Sequence, residues 1–297
     1  MFKYSFGIKK ATIFCIILTN PKNFATRTLA VHDTWAKECD NHKFITVIPK
    51  PYLKFANIKR QSIESEYPFN LLQPRGHYKE NYKNLTSKVI SAFLDIYKRY
   101  SNYDWYLKAD DDTFIMMDNL RSFLKDKRSY QPGTFGFNLK TWQSGGAGYV
   151  FSHHSLQKFG SNYEKNSSFC VNTGTEDLDM IGCFRNLNIN QSKTEDSLGR
   201  ERFHLLSIND HWYGVPFKWV HDYALVPVKD GKMCCSDQSI SFHYIDHKLM
   251  RRMHFRWRSY LEESKRNKNV DFHEYFIKPF VNFTSKDLNQ NKFLINF

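Results

Sequence analysis

The sequence predicts a single-domain α/β fold with a mostly parallel central sheet. Short apolar runs rich in β-branched residues alternate with stretches in which apolar residues recur at helical spacing. One such run, 103–109, leads directly into three aspartates at 110–112. Alternating strands and helices favour a parallel sheet, and ligands of such sheets bind beyond the carboxyl ends of the strands. The triplet is therefore a candidate binding site.

The first part of the chain predicts two strands around one helix. The runs 11–18 and 44–48 are short, apolar and β-branched, which is typical of strands. Residues 25–37 have a helical pattern between them. Residues 49–80 contain several prolines and predict a long irregular connection.

The middle of the chain predicts a helix followed by the strand that carries the triplet. Apolar residues recur at helical spacing over 85–100. The strand 103–109 comes next. Asp118 is then predicted to cap a short helix that runs through Lys125.

A glycine-rich stretch, 145–148, precedes a predicted strand at 149–151. Such glycines let the backbone approach a ligand closely, or form a tight turn. Ser152 is predicted to cap the helix that follows.

The next helix is predicted to open at Thr175, with Leu178, Ile181 and Leu187 on one face. Carboxylates in a first helical turn are favoured by the helix dipole, so Glu176 and Asp177 have a structural explanation as well as a functional one. The stretch 212–223 is dense in aromatic residues without periodicity, which predicts a loop.

Composition supports a folded protein with anionic ligands. The chain has 297 residues, is 41% hydrophobic and has a formal net charge of +13. A basic surface favours nucleotides, nucleic acid or acidic membranes. The dense basic stretch at 248–268 also fits a solvated face. No nucleic-acid-binding module accompanies it, so nucleic acid is not an expected partner.

Cysteines and glycosylation motifs predict a secretory protein. The six cysteines include no Cys-x-x-Cys pattern, which favours three disulfides formed in an oxidising compartment. The adjacent Cys234 and Cys235 could bond to each other or pair elsewhere. The run 11–18 is far shorter than the roughly 20 residues that span a bilayer, and it lacks a signal-peptide layout, so no membrane anchor is expected within this sequence. The Asn-x-Ser/Thr motifs begin at Asn84, Asn166, Asn190 and Asn282.

The aspartate triplet has two explanations. Three adjacent carboxylates repel one another, and a divalent cation is the usual compensation. Hard oxygen ligands suit Mg²⁺ or Mn²⁺, and the first and third aspartates can point the same way. The alternative is a solvated turn or a structural Ca²⁺ loop, and the triplet alone does not decide between them.

Several segments, in the same order and with similar spacing, resemble the core 1 β1,3-galactosyltransferases, a branch of the inverting enzymes of glycosyltransferase family 31. The match covers roughly residues 11–247, and the Cys-Cys-Ser-Asp block with the downstream Phe-His-Tyr is the part most specific to this branch. The matching segments are Arg27 with 34–36, 105–113, 118–120, 144–150, 176–178, 234–237 and 241–244.

The resemblance implies a Rossmann-like GT-A fold and a Golgi enzyme. Relatives transfer galactose from UDP-galactose to the 3-hydroxyl of N-acetylgalactosamine (GalNAc) α-linked to Ser or Thr, forming the core 1 disaccharide. They use Mn²⁺, are type II membrane proteins, act on glycoproteins and commonly form homodimers. The implied segments are an N-terminal segment 1–10, a catalytic domain 11–247 and a basic extension 248–297. The implied disulfides are Cys15–Cys39, Cys170–Cys183 and Cys234–Cys235.

The resemblance also assigns roles to individual residues. Asp110, Asp112 and His243 are the expected metal ligands. Inversion requires one base that takes the proton of the acceptor hydroxyl; Asp177 is the first candidate and Glu176 the second. The expected donor contacts are Lys88, Lys108, Asp111, Gly145, Gly146 and Tyr244. The expected acceptor contacts are Trp219 and Tyr223.

Departures from the family pattern leave the substrate open. Residues 82–87 replace an Arg-Asp-Gln block, and His221 stands where relatives usually have a tryptophan. One alternative is therefore a related β1,3-glycosyltransferase with another UDP-sugar or acceptor. A second is a non-catalytic, chaperone-like or glycan-binding relative. The chaperone branch lacks the aspartate triplet, which argues against this second alternative.

Overall fold

The structure is a computed structural model that describes residues 10–48, 69–76 and 79–281. Most of the predicted irregular connection at 49–80 and the motif at Asn282 lie outside the described residues.

A mixed six-stranded sheet forms the centre of the described chain, in the order β3-β2-β1-β4-β7-β6. Strands β3, β2, β1 and β4 run parallel, while β7 and β6 join antiparallel. The predicted α/β class is confirmed. These strands are β1 Ile13–Leu18, β2 Asn41–Ile45, β3 Leu71–Leu72, β4 Trp105–Asp110, β6 Thr134–Gly136 and β7 Tyr149–Ser152.

A second, smaller sheet has the order β5-β9-β8. Its strands are β5 Phe114–Ile115, β8 Phe203–His204 and β9 Ser241–Phe242. Strand β5 begins shortly after the aspartate triplet, so this sheet connects the triplet with the C-terminal part of the chain.

Helices lie on both faces of the central sheet. The α-helices are α1 Leu29–Asp33, α2 Leu85–Arg99, α3 Met117–Leu124, α4 His153–Lys165, α5 Glu176–Asn186, α6 Ile208–Tyr213, α7 Lys218–Tyr223, α8 His247–Arg266 and α9 Lys278–Val281. Short 3₁₀ and π turns occupy Pro21–Asn23, Phe24–Thr28, Trp35–Glu38, Tyr82–Asn84, Ser167–Phe169, Gly231–Met233 and His273–Ile277.

Burial of β1 shows why the sheet is central. All six of its residues are buried. Side chains alternate between the two faces of a strand. Accordingly, Ile13, Cys15 and Ile17 enter one hydrophobic cluster, while Phe14 and Ile16 enter the other. Each fully buried Ile or Phe stabilises the fold by roughly 1.5–3 kcal/mol.

Two predictions of local structure, one helix and one loop, differ from the structure. The predicted helix 25–37 is interrupted at Thr34, whose backbone (φ −112°, ψ −115°) is not helical. The predicted loop 212–223 is wrong, because it contains the end of α6 and all of α7. Helix α6 begins with a capping box in which Ser207 and Asp210 bond each other's backbone N–H groups.

Local helix details were partly predicted. Ser152 caps α4 as expected, since its side chain accepts from the Ser155 N–H. The cap at Asp118 is wrong, because Met116 occupies the cap position; Asp118 instead accepts a hydrogen bond from Trp257 Nε1 at 3.2 Å. Leu178 does not share the buried face of α5, since its side chain is exposed.

The basic C-terminal stretch contains a helix that packs on the core. Helix α8 contributes Met250, Met253 and Trp257 to the hydrophobic cluster that contains Ile13, Cys15 and Ile17 of β1. The division of the chain into 1–10, 11–247 and 248–297 remains a prediction.

The disulfides follow the implied pairing. Cys15 on β1 bonds Cys39, which lies just ahead of β2. The other two bonds are Cys170–Cys183, which anchors α5, and Cys234–Cys235. Among the described residues, no helix combines the length and apolar character needed to span a membrane.

Candidate active site

Three side chains beyond the carboxyl end of β4 form a group that fits a metal ion. Single ligand atoms of Asp110, Asp112 and His243 all lie within 4.8 Å of one another. Asp110 ends β4, and Asp112 lies two residues further in the turn. His243 directly follows β9, which pairs with β5. The structure therefore brings together all three predicted metal ligands.

The His243 ring is oriented for coordination. Its Nδ1 lies 3.1 Å from the Leu205 carbonyl oxygen, to which it donates, and its Nε2 lies 3.3 Å from Asp112 Oδ1. Histidine ligands of metals commonly donate their second nitrogen to a carbonyl in this way. A Cβ at Gly146 would overlap the His243 ring. Gly146 therefore makes room for the ligand itself.

The residues present fit a hard divalent cation. Asp110 Oδ1 is buried without a hydrogen bond, although Lys108 Nζ lies 3.0 Å away. Burial alone would raise the pKa of Asp112, but His243 and Arg27 outweigh it and hold this pKa below its usual value. Arg27 Nη1 lies 3.2 Å from Asp112 Oδ2. Two carboxylates and an imidazole suit Mn²⁺ or Mg²⁺.

Asp111 turns away from this group. Its Oδ2 accepts hydrogen bonds from Thr19 Oγ1 at 2.6 Å and from Asn23 Nδ2 at 2.8 Å. Both partners lie in the segment that follows β1. The last residue of β1, Leu18, pairs with Asp110. Burial raises the pKa of Asp111 to about 6. These contacts tie Asp111 to the segment after β1, and its contact with the donor stays a prediction.

Two carboxylates at the start of α5 face the same region but differ in their freedom. Glu176 is buried; its Oε1 accepts from the Tyr149 hydroxyl at 2.8 Å, and its Oε2 lies 3.0 Å from Lys108 Nζ. Asp177 is partly exposed, with Oδ2 accepting from the Gly145 N–H at 3.2 Å and Oδ1 from the Leu178 N–H at 2.9 Å. Glu176 is thus engaged through both oxygens by side chains, while Asp177 remains accessible.

The pKa values of both carboxylates are raised. Burial raises the pKa of Asp177 above its usual value, although the Gly145 N–H and Lys108 oppose this. Burial likewise raises the pKa of Glu176. A raised pKa brings a general base closer to neutral pH.

Both lysines predicted to contact the donor are buried and engaged by protein oxygens. Lys108 is 1% exposed, and its Nζ lies near Asp110, Glu176 and the Gly145 carbonyl. Lys88 Nζ donates to the Thr19 carbonyl at 2.7 Å and to Glu80 Oε2 at 2.9 Å. In this structure their ammonium groups face the protein.

Tyrosines border the metal group. The Tyr244 ring stacks on His243 with 3.9 Å between ring centroids, and it is half exposed. Tyr82, which sequence reasoning missed, is 75% exposed. Partial burial, and then the charges of Asp177 and Glu176, raise the pKa of Tyr82.

The two predicted acceptor residues lie on α7, outside the metal group. Trp219 is partly buried and packs against the core. Tyr223 is half exposed, and its ring centroid lies 5.5 Å from that of Trp142. The Tyr223 carbonyl also accepts a hydrogen bond from the Lys140 N–H at 2.8 Å, so Tyr223 lies beside the segment that leads to the glycine-rich stretch.

Sequence reasoning also missed the partners that hold the site residues. Tyr149 was assigned only to a strand, and Arg27 entered only as part of a matching segment. Their roles emerge from contacts with Glu176 and Asp112, which lie far away in the sequence.

The comparisons with known proteins agree on a family. A galactosyltransferase family model matches residues 75–170. The chain is 32% identical over 250 residues to glycoprotein-N-acetylgalactosamine 3-beta-galactosyltransferase 1 of Xenopus laevis, covering 80% of this chain and 63% of that protein. It is 25% identical over 194 residues to beta-1,3-glucosyltransferase of Mus musculus, covering 61% of this chain and 35% of that protein. The chain thus spans less than two thirds of the length of either relative.

Among solved structures, the chain aligns with two of the galactosyltransferase LgtC. One is the complex with donor and acceptor sugar analogues, at a TM-score of 0.39 and 9% identity, covering 87% of this chain and 97% of that chain. The other is an active-site mutant, at a TM-score of 0.39 and 10% identity, covering 78% of this chain and 86% of that chain. Scores this low support no inference about individual residues.

Proposed function

The chain belongs to the galactosyltransferases of glycosyltransferase family 31, in the core 1 synthase-like group, and we propose that it transfers galactose from UDP-galactose to the 3-hydroxyl of GalNAc α-linked to Ser or Thr. The reaction inverts the anomeric configuration and forms the core 1 disaccharide of O-glycans. Its partners would be UDP-galactose and GalNAc-bearing glycoproteins.

One observation carries this proposal: the metal group and the accessible carboxylate are separate. Asp110, Asp112 and His243 form one group beyond β4. Asp177 lies at the start of α5 and binds the Gly145 backbone. Inverting transfer needs these two functions apart, because the leaving group and the attacking hydroxyl occupy opposite faces of the sugar.

Asp110, Asp112 and His243 would hold the ion, with Mn²⁺ as the proposed cofactor. When bound, a divalent cation stabilises the negative charge that develops on a departing diphosphate. His243 enters this arrangement with its Nδ1 bonded to Leu205, which leaves Nε2 directed at the group. Arg27 Nη1 lies 3.2 Å from Oδ2 of Asp112, whereas His243 lies near the other oxygen, Oδ1.

Asp177 would act as the general base. It accepts the proton of the GalNAc 3-hydroxyl as that oxygen forms its bond to C1 of galactose and the bond from C1 to UDP breaks. The raised pKa of Asp177, caused by burial, favours proton acceptance. Gly145 N–H and Leu178 N–H fix its two oxygens. A positioned base of this kind contributes about 10²–10⁴-fold to the rate.

Glu176 is the weaker candidate for the base. The Tyr149 hydroxyl and Lys108 engage its two oxygens, and its side chain is buried. An incoming hydroxyl would have to displace one of these partners. We assign Glu176 a supporting role.

The disulfides indicate the cellular compartment of the protein. Three disulfides favour an oxidising compartment, and we propose the Golgi or another part of the secretory lumen. A homodimer is proposed on the resemblance alone.

A related β1,3-glycosyltransferase is the second candidate. One matching relative is a beta-1,3-glucosyltransferase. His221, which replaces a tryptophan of the family pattern, lies on α7 next to Tyr223, where its Nε2 contacts the Val215 carbonyl at 2.8 Å. A different acceptor or donor sugar fits this change equally well.

A sugar panel tests the proposal. Purified protein is assayed with Mn²⁺, a GalNAc-Ser/Thr glycopeptide, and UDP-galactose, UDP-glucose, UDP-GlcNAc or UDP-GalNAc in parallel. The proposal expects transfer of galactose, with a product cleaved as a β1,3-linkage. Transfer of another sugar would support the second candidate, and binding of UDP without any transfer would favour a non-catalytic relative.

A further inference from the structure

Lys108 connects three separate segments of the site. Its Nζ lies 3.0 Å from Asp110 Oδ1, 3.0 Å from Glu176 Oε2 and 3.2 Å from the Gly145 carbonyl oxygen, to which it donates. Asp110 ends β4, Glu176 starts α5, and Gly145 lies in the loop ahead of β7. Lys108 itself is on β4, a central strand that is buried except for its last residue, Asp110.

The ammonium of Lys108 is enclosed by acidic side chains. It is 1% exposed and lies 3.0 Å from a carboxylate oxygen of Asp110 and of Glu176. A buried cation between two carboxylates satisfies groups that would otherwise repel one another. A neutral residue of similar length would leave both carboxylates without this counter-charge.

The contacts of Glu176 also restrain the next residue, Asp177. Tyr149 holds one oxygen of Glu176 and Lys108 the other, so the position of Glu176 relative to β4 and β7 is fixed. Asp177 follows directly, and its Oδ2 accepts from the Gly145 N–H. A Cβ at Gly145 would lie 2.7 Å from Glu176 Oε2 and 3.2 Å from Lys108 Nζ, which leaves no space between them.

We propose that Lys108 is a positioning residue: through Glu176 and the Gly145 carbonyl, it holds the start of α5, and with it Asp177, in a fixed place relative to Asp110. This differs from the donor contact expected from the sequence, because the buried ammonium faces the protein. The catalytic consequence rests on the proposed function. The restraint itself rests only on the contacts.

Positioning of this kind affects turnover more than substrate binding. A displacement of about 1 Å at a reacting group can cost about 10²-fold in rate. Loss of Lys108 would leave Glu176 as an unpaired buried carboxylate next to Asp110, so the start of α5 would shift. Replacing Glu176 by glutamine in the same molecule removes that unpaired charge and keeps a partner for the Tyr149 hydroxyl.

The test compares Lys108→Met, Glu176→Gln and the double variant with the wild-type protein. Lys98→Met is the matched control, since Lys98 forms a half-exposed ion pair with Glu164 on the surface. Two quantities are measured: kcat and KM with saturating Mn²⁺, and deuterium uptake of the peptides that contain Gly145 and residues 174–180, in all variants without substrate.

The proposal expects Lys108→Met to lower kcat by about tenfold or more with a smaller change in KM, and to raise deuterium uptake in both peptides. The double variant should recover most of both effects, and Lys98→Met should change neither. Unchanged uptake in Lys108→Met, or a double variant no closer to wild type than Lys108→Met, would overturn the proposal.

Two further measurements keep the result interpretable. If Lys108→Met does not fold, Tyr149→Phe removes only the hydroxyl that holds Glu176; it should raise uptake in the 174–180 peptide, and an unchanged uptake would count against the proposal. If the wild-type protein transfers no sugar, the proposed function fails, while the deuterium uptake still decides whether Lys108 positions α5.

Discussion

Asp112 Oδ1 lies 3.3 Å from His243 Nε2, although the two residues belong to distant parts of the chain. The small sheet explains this approach. Strand β5 pairs antiparallel with β9, with Phe114 opposite Phe242. Asp112 precedes β5 and His243 follows β9, so the pairing places both at the same end of the sheet. The metal group therefore depends on a two-residue strand pair as much as on the aspartate triplet.

Replacing Asp112 tests the metal group. Asp112→Ala removes a carboxylate that faces His243 and Arg27, and we expect Mn²⁺-dependent transfer to fall by about 10²-fold or more while the protein stays folded. Asp126→Ala is the control. Asp126 is an exposed aspartate outside the triplet, so this variant should keep full activity. Initial rates and circular dichroism measure both outcomes. Full activity in Asp112→Ala would remove Asp112 from the site.

A substitution at Gly146 tests the position of the His243 ring without removing a proposed metal ligand. A Cβ at this position would overlap the imidazole ring, so Gly146→Ala should displace His243 and weaken activation by Mn²⁺ by about tenfold or more. Gly182→Ala is the matched control, because nothing lies within 4 Å of a Cβ there and the residue is inside α5. That control should gain about 0.4–1 kcal/mol of stability. Equal Mn²⁺ activation curves for the two variants would contradict the placement of His243.

Glu201 predicts how stability changes with pH. Burial, and then the charge of Glu195, raises the pKa of Glu201 from 4.5 to about 8. Between these values the folded state retains a proton that the unfolded state has released, so stability is greatest below about 4.5 and falls as the pH rises towards 8. Glu201→Gln removes this titration.

We therefore expect Glu201→Gln to melt at a higher temperature than wild type at pH 8, with the difference shrinking at pH 5. Differential scanning fluorimetry at both pH values gives the two differences. Glu262→Gln, at an exposed position on α8, should show no such pH-dependent gain. A Glu201→Gln variant that gains as much at pH 5 as at pH 8 would contradict the raised pKa.

The strands, and the three residues that come together beyond β4, could be predicted better than the contacts that support them. Strand β1 is apolar on both faces because both are buried, and its composition alone indicates this. The helix Leu85–Arg99 has a clear period. His243 was located only through the family resemblance, since a single histidine in an aromatic strand has no signal of its own.

The errors have physical reasons. Helices α6 and α7 are short and have few buried residues instead of a periodic face. Helix α6 has a capping box, and α7 has no side-chain cap. The contact of Lys108 with UDP that the resemblance implies stays a prediction, but the contacts of Lys108 within the protein had no sequence signal. The burial of Lys108 depends on Glu176 and Gly145, which reach it only in the folded chain.

The most direct test of the division between metal group and base is Asp177→Asn. UDP affinity in the presence of Mn²⁺ is measured by calorimetry, and kcat with UDP-galactose and a GalNAc glycopeptide, with Glu176→Gln in parallel. We predict that Asp177→Asn binds UDP within about threefold of wild type but loses about 10²-fold or more in kcat, and that Glu176→Gln loses less. Turnover of Asp177→Asn close to that of wild type, or a loss of UDP binding as large as its loss of turnover, would contradict this prediction.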